Sequence, residues 1–198
     1  MGQNFTKLTF TESVKKAQEK YGSRSAYQKM DELAPDKYQL SQRESAFIEQ
    51  RDGFYLSTVG ENGWPYVQFR GGPAGFLKVI DQETLGYADF RGNRQYISTG
   101  NIYANKKASL ILMDYASRSR LKIWANTEIL EPEQNQKLAE KLILPDYVAK
   151  IERLVVFHVQ AYDWNCPQHI TPKFTIEEIK TMFYNDPQLI NQMFANES

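Results

Sequence analysis

Residues 53–98 read GFYLSTVGENGWPYVQFRGGPAGFLKVIDQETLGYADFRGNRQYIS, and the period of this stretch decides the fold to expect. Residues 53–59 are a β-rich run, and 64–70 return as a partner strand. Between them Glu61-Asn62-Gly63 carries the Asn-Gly signal of a hairpin turn. Residues 76–80 and 84–90 form a second pair across a turn at Asp81. The same reading gives strands over 108–115, 120–130 and 153–164, the first two joined by a polar turn at 116–119. Helices are expected over 11–20, ended by Gly22-Ser23, and from Ser41 through Gln50, where Ser41 and Glu44 make a capping box. Further helices are expected over 95–104 and over 132–143, with Pro132 at the first helical position. A polar connection runs through Pro35. Thr175 with Glu178, then Asp186 before Pro187, open two short closing helices. Six to seven strands at hairpin spacing with few helices make an α+β, mainly β chain, an antiparallel barrel flanked by helices. The barrel domain covers 41–165, with a helical extension over 1–40 and a C-terminal loop and helices over 166–198 packing on the same domain.

Lys plus Arg and Asp plus Glu both total 24, so no net field draws the chain to nucleic acid or to a membrane surface. No apolar run approaches the roughly 18 to 20 residues that span a bilayer. A single cysteine, Cys166, cannot form an internal disulfide, which fits a reducing, cytoplasmic setting. The aromatic share of 13% suits both a β-rich core and a flat ligand surface.

The chemistry also lies in the opening stretch. Arg91, Asn93, Arg94, Gln95 and Ser98 follow a strand and precede a helix start, where backbone N–H groups and the helix dipole favour phosphate. Arg94 stands out because a guanidinium fork matches phosphate oxygens in pairs. The same residues also fit a solvated charged loop. Gly71, Gly72 and Gly75 match neither the dinucleotide fingerprint nor the phosphate-binding loop, so a barrel corner remains open beside a close approach to ligand. Lys78 lies opposite to Leu77 and Val79 on its strand. If Phe76 and Ile80 are buried on its own face, it needs an anionic partner. Asp89 would compete with phosphate for the arginines, or orient them. Gln68 and Arg70 alternate with Val67 and Phe69, so one face of that strand is polar.

Two histidines and one cysteine, scattered as His158, Cys166 and His169, make no metal site. Cys166 and His169 lack a third group to orient a nucleophile and its base. The segment DWNCPQHITP better suits one wall of a pocket for a flat ligand.

Taken together, a strand bearing Lys78, a strand ending near Asp89, and Arg94-Gln95 opening a helix resemble the FMN-binding split barrel of the pyridoxamine 5'-phosphate oxidase family. Lys78 matches the family's phosphate-contacting lysine, and Asn93, Arg94 and Gln95 align with its Ser-Arg-Lys motif. Ala88 and Asp89 occupy the family's Tyr-Thr flavin-contact segment, and Arg118 or Arg120 is nearest to a later polar flavin contact. GGPAGFLKV, ADFRGNRQYIS and DWNCPQHI look most like a subgroup of flavin-nucleotide-binding relatives. Pro73 and Gln95 depart from the vitamin oxidase, as does the tail, which lacks an Arg-Leu-Ser-Pro segment.

The resemblance implies FMN at a homodimer interface, its phosphate held by Lys78, Arg94, Gln95 and Ser98. Gln68 and Arg70 would reach the ring system. Trp164, Gln168 and His169 would form a lid or the partner's wall, with His169 as proton donor or acceptor. An FMN-dependent oxidoreductase with a small substrate and a nicotinamide or oxygen partner follows. A flavin storage or sensing protein, or a barrel holding haem or a deazaflavin, stands beside it.

Overall fold

The computed structural model describes residues 5–33, 39–164 and 167–185. Two units are distinguished. The first comprises 1–113 and 120–165, the second 114–119 and 166–198.

The strands of the first unit are β1 (Gly53–Val59), β2 (Pro65–Gly71), β3 (Lys78–Asp81), β4 (Thr84–Phe90), β5 (Lys107–Asp114), β6 (Ser119–Leu130) and β7 (Ile151–Trp164). They form one sheet in the order β2-β1-β5-β6-β7-β4-β3, with antiparallel pairings. β1 and β2 pair through the Asn62-Gly63 turn, where Gly63 has φ +81°, a conformation that costs glycine little. The sheet is rolled. Arg70 on the edge strand β2 lies 3.5 Å from Asp89 on β4, five places along the strand order. Phe54 of β1 meets Tyr87 of β4 at 5.6 Å and Phe157 of β7 at 6.1 Å, and stacks on Phe76 at 5.7 Å. These rings, with Leu56, Leu85, Leu110, Leu112, Leu121 and Ile123, fill the interior. The architecture is an α+β split barrel.

The helices of this unit are α1 (Phe5–Thr9), α2 (Glu12–Lys20), α3 (Arg24–Leu33), α4 (Gln42–Glu49), α5 (Ile97–Asn105) and α6 (Gln136–Leu142). α1 and α3 were not expected. Their sequence is polar, and their order comes from a few aromatic contacts: Phe5 on Trp124 at 5.4 Å and on Phe10 at 5.7 Å, and Phe10 on Tyr27 at 5.6 Å. Arg24 also donates to Gln18 and Asp31, tying α2 to α3. The helix expected over 132–143 breaks at Asn135 (φ −130°) into a 3-10 turn, Pro132–Gln134, followed by α6.

The strand expected over 76–80 also changes. β3 begins at Lys78, because 72–77 are held as a loop by bonds from the N–H groups of Gly72 to Asp52, Gly75 to Arg51 and Phe76 to Pro73. Gly75 sits at φ +80°, so the chain turns here rather than extending.

The second unit holds the 114–119 turn and α7 (Ile176–Asn185), capped reciprocally by Thr175 and Glu178. Lys173 lies over the Tyr115 ring at 4.9 Å. Cys166, the connection at 34–38 and the second closing helix lie outside the described residues. Among the described residues no helix is long and apolar enough to cross a membrane.

The Ser41–Glu44 capping box forms as expected and does more than start α4. Glu44 accepts from the Ser41 hydroxyl, from the Ser41 N–H at 3.0 Å and from Trp164 Nε1 at 2.7 Å. Burial pushes its carboxyl up, but the Ser41 and Trp164 hydrogen bonds outweigh burial and hold it below its ordinary value. Its stabilisation is therefore present above the ordinary glutamate value of about 4.3 and is lost as pH falls through the lower folded value. Glu44→Gln should cost about 1–2 kcal/mol near neutral pH in urea unfolding. The gap to the native chain should close as the medium is acidified below about pH 4.

Candidate functional site

A small pocket of about 50 Å³ opens where β2, β4, the start of β7 and the loop before α5 converge. Tyr66, Gln68 and Arg70 come from β2, Asp89 and Phe90 from β4, and Glu152 and Arg153 from β7. The loop and helix start contribute Gly92 to Ile97 and Thr99. Strand alternation explains the β2 set, since residues 66, 68 and 70 share the face turned inward while 65, 67, 69 and 71 are exposed.

The charges are paired unequally. Asp89 is buried and lies 2.6 Å from Arg153 Nη1 and 3.5 Å from Arg70 Nη1. Glu152 accepts from Arg153 Nη2 at 2.8 Å and lies 3.5 Å from Arg91 Nε. Burial pushes the Arg153 guanidinium down, but Asp89 and then Glu152 outweigh burial and hold it above its ordinary value. Arg94 has no carboxylate within ion-pair distance among the described residues. Its Nε donates to the Tyr96 hydroxyl at 3.1 Å, and this bond holds its guanidinium above the ordinary value. Its two terminal nitrogens have no hydrogen-bond acceptor among the described residues. Arg70 Nε is buried and, among the described residues, has no hydrogen-bond partner.

The backbone adds donors. Tyr96, the N-cap of α5, has φ +55° and makes no side-chain cap, and the first helical bond runs from Gly100 N–H to Tyr96. The N–H groups of 97–99 therefore precede any helical partner. Asn93 Oδ1 accepts from Gln95 N–H at 3.2 Å and tightens the loop ahead of them.

Of the residues expected from sequence, Gln68, Arg70, Asp89, Asn93, Arg94 and Gln95 are brought together here. Ser98 is buried behind them, its hydroxyl 3.4 Å from Gln68 Oε1. Ala88 and Lys78 do not line the pocket. Lys78 pairs with Gly86, so it shares the face of Gly86 and Ala88. Ala88 on that face is buried with Ala139 and Leu142 of α6, and Asp89 points the other way. Arg120 and Trp164 lie at the far ends of β6 and β7. Eleven residues at ~3.3 Å each put Trp164 about 35 Å along the strand from Arg153. There Trp164 packs on Phe47 at 4.7 Å and beneath Arg43 at 4.4 Å. Gln168 and His169 are exposed in the second unit, His169 with φ +62°.

Glu152, Arg153 and Tyr96 are pocket residues that sequence reasoning missed. Asp89 and Arg153 are register partners on β4 and β7. The sequence signal was Glu152-Arg153, two charges opening an apolar strand.

A second, open cleft of about 390 Å³ adjoins the first and shares Tyr66 and Ile97 with it. Gly60, Glu61, Asn62, Trp64, Pro65 and Asn101 form its other walls. Trp64 is 74% exposed, while its backbone is held through Gly60 N–H and Asn62 Oδ1. Among the described residues no group of three or more His, Cys, Asp or Glu could hold a metal ion.

Removing the carboxylate that Arg70 and Arg153 share leaves Arg70 unmatched and Arg153 with Glu152 alone. Asp89→Ala should therefore destabilise the fold by about 3–5 kcal/mol, read as a lower urea midpoint.

The sequence model of the family described as pyridoxamine 5'-phosphate oxidase matches residues 40–181. A solved structure from Lactobacillus delbrueckii, described as a candidate pyridoxamine 5'-phosphate oxidase, is 19% identical with a TM-score of 0.50. The match covers 66% of this chain and 97% of that one. The HupZ protein of Group A Streptococcus is 16% identical with a TM-score of 0.49, over 68% of this chain and 99% of that one. An FMN-binding protein of Syntrophomonas wolfei is 17% identical with a TM-score of 0.47, over 78% of this chain and 96% of that one. No curated protein matches the sequence. With well over half its length matched by that one family model, the chain belongs to the pyridoxamine 5'-phosphate oxidase family.

Proposed function

We propose that this protein binds FMN and serves as an FMN-dependent oxidoreductase on a small organic substrate, with a nicotinamide electron donor. The observation that carries the reading is Arg94, a guanidinium without a carboxylate partner among the described residues, set beside the uncapped N-terminus of α5. With Nε committed to Tyr96, its two terminal nitrogens form the fork that a phosphate takes in pairs. Backbone N–H groups at 97–99 add to the same anion site. The lining has Arg70, Arg94 and Arg153 against Asp89 and Glu152, an excess of one positive charge. Arg70 Nε, without a hydrogen-bond partner among the described residues, is a further donor for a polar ligand group.

At about 50 Å³ the polar pocket suits a phosphate and not a whole flavin mononucleotide. The adjoining 390 Å³ cleft, with Tyr66 and Trp64 on its walls, would take the rest, and an exposed indole is a surface on which a flat ring can stack. A bound flavin supplies hydride and electron transfer. The chain's own part is to hold the phosphate with Arg94 and the α5 N–H groups, and to orient Arg70 and Arg153 through Asp89. Lys78 has no role in this reading, because its strand face is the one covered by α6.

A homodimer is part of the proposal. The outer face of β2-β1-β5 places Tyr55 opposite both Phe69 and Ile111. Val67 and Phe69 on it are 60% and 56% exposed, an apolar patch of the kind that marks an interface. Arg120 and Trp164 are then residues that the second subunit would bring toward the flavin. The single cysteine supports a cytoplasmic setting.

The purified protein should show flavin absorbance that NADH or NADPH bleaches and air restores. A Soret band, or no chromophore after incubation with FMN, would overturn the reading. Arg94→Ala should weaken FMN binding at least about tenfold while the folded dimer persists. Phe69→Glu should yield monomers by analytical ultracentrifugation and lose FMN with them.

A further inference from the structure

Tyr96 joins two parts of the pocket that the sequence keeps 56 residues apart. Its hydroxyl accepts from Arg94 Nε at 3.1 Å and lies 3.3 Å from each carboxylate oxygen of Glu152, to which it donates. Its ring carries the Arg153 guanidinium at 4.9 Å, and Arg153 is itself fixed by Asp89 and Glu152. One phenol thus connects the loop before α5 to the most firmly paired charges of the barrel.

The backbone shows why such a tether matters. Arg94 at φ +60° and Tyr96 at φ +55° both occupy the left-handed region, which side chains other than Gly, Asn and Asp adopt reluctantly. Two such residues with one between them persist only where the surroundings over-determine the conformation. Among the described residues, the side-chain contacts that reach this loop from outside it all go to the Glu152–Arg153 pair: the Tyr96 hydroxyl and Arg91 Nε to Glu152, and the Tyr96 ring to Arg153. Arg94 is exposed, and among the described residues no other side-chain hydrogen bond or ion pair chooses its rotamer.

We propose that Tyr96 is a positioning residue for the phosphate-bearing ligand. By accepting the Nε–H hydrogen bond it leaves the two terminal nitrogens of Arg94 as the ligand-facing fork, and through Glu152 it anchors that fork to β7. The inference rests on Arg94 as the phosphate-binding group. It goes beyond that reading by assigning the orientation of the fork to a residue that need not touch phosphate. The hydroxyl then matters only when Arg94 is present and only for a ligand that carries the phosphate.

The test is a double-mutant cycle on full-length protein stripped of flavin and titrated with FMN and with riboflavin, which lacks the phosphate. Tyr96→Phe keeps the ring on Arg153 and removes the relay. It should weaken FMN binding about five- to tenfold, change riboflavin binding less than twofold, and change FMN binding less than twofold when Arg94 is already alanine. An equal loss for both ligands, or an equal loss in both backgrounds, would show that Tyr96 serves the fold and would overturn the proposal. If Arg94→Ala itself leaves FMN binding unchanged, the phosphate reading fails, and the positioning role fails with it. Should Tyr96→Phe not fold, Tyr96→Asn carries the same cycle, since asparagine tolerates left-handed backbone and is too short to reach Glu152 as the phenol does.

Discussion

Asp89 is a buried carboxylate between two guanidiniums, and the arrangement of the pocket depends on that sharing. A carboxylate taken out of water needs matched charge, and a guanidinium so placed needs its carboxylate. Arg153 reaches it from the neighbouring strand β7, whereas Arg70 reaches it from β2, at the opposite end of the strand order. The ion pair therefore works across the rolled sheet as well as within it, and it fixes where the mouth of the barrel draws together. It also uses up charge. Arg70 and Arg153 are paired with Asp89, and Arg91 and Arg153 with Glu152. Arg94 is left without an ion-pair partner among the described residues, so the positive imbalance of the pocket lies on this one side chain rather than in a count of arginines.

The alternation of β4 sorts the rest. Tyr87 and Asp89 face the barrel interior, while Gly86 and Ala88 face α6. Burial first, and then the negative Asp89, push the Tyr87 phenol up, so beside the pocket it stays neutral and packs as an aromatic ring between Phe54, Phe76 and Phe157. Gly86 lets α6 lie close. A Cβ there would stand 2.9 Å from Ile80 and 3.2 Å from Leu142. Lys78, in register with Gly86, is consequently committed to the α6 side. A one-residue slip between β3 and β4 would move it to the face of Asp89.

This explains which parts of the molecule were legible. The β1–β2 hairpin, the Ser41 and Thr175 capping boxes and the loop of Asn93 to Gln95 before a helix are local signals. Each is a few residues long, and each has a physical cause confined to those residues. The identity of the strands was legible for the same reason. Their register was not. Nothing near Asp89 in sequence announces Arg153, and nothing near Tyr96 announces Glu152. Asp89 and Arg153 meet because β4 and β7 pair in that register, and the shift that follows, between Asp89 and Phe90, leaves Glu152 without a register partner on β4. The N-terminal helices were hidden differently: Gly22 at φ +75° reads correctly as a helix end, but the chain re-enters a helix at once, at Arg24. Contacts among Phe5, Phe10, Tyr27 and Trp124 supply what local propensity does not.

The pocket combines two mechanical regimes. Its inner wall belongs to the barrel, where strand pairing and the Asp89 ion pairs leave each side chain little choice of position. Its outer wall is a short loop with two left-handed residues, whose shape must be imposed. A wall of the first kind can set the charge that a ligand meets, but it cannot close on the ligand. A wall of the second kind can follow a ligand group of several oxygens, provided something rigid defines where the loop rests. In this chain the rigid reference is the Glu152–Arg153 dipeptide of β7, and the group that reads it is the Tyr96 phenol. A strained loop referenced to a paired core holds a fork at a set distance from a helix N-terminus. An anion can then be recognised by geometry as well as by charge.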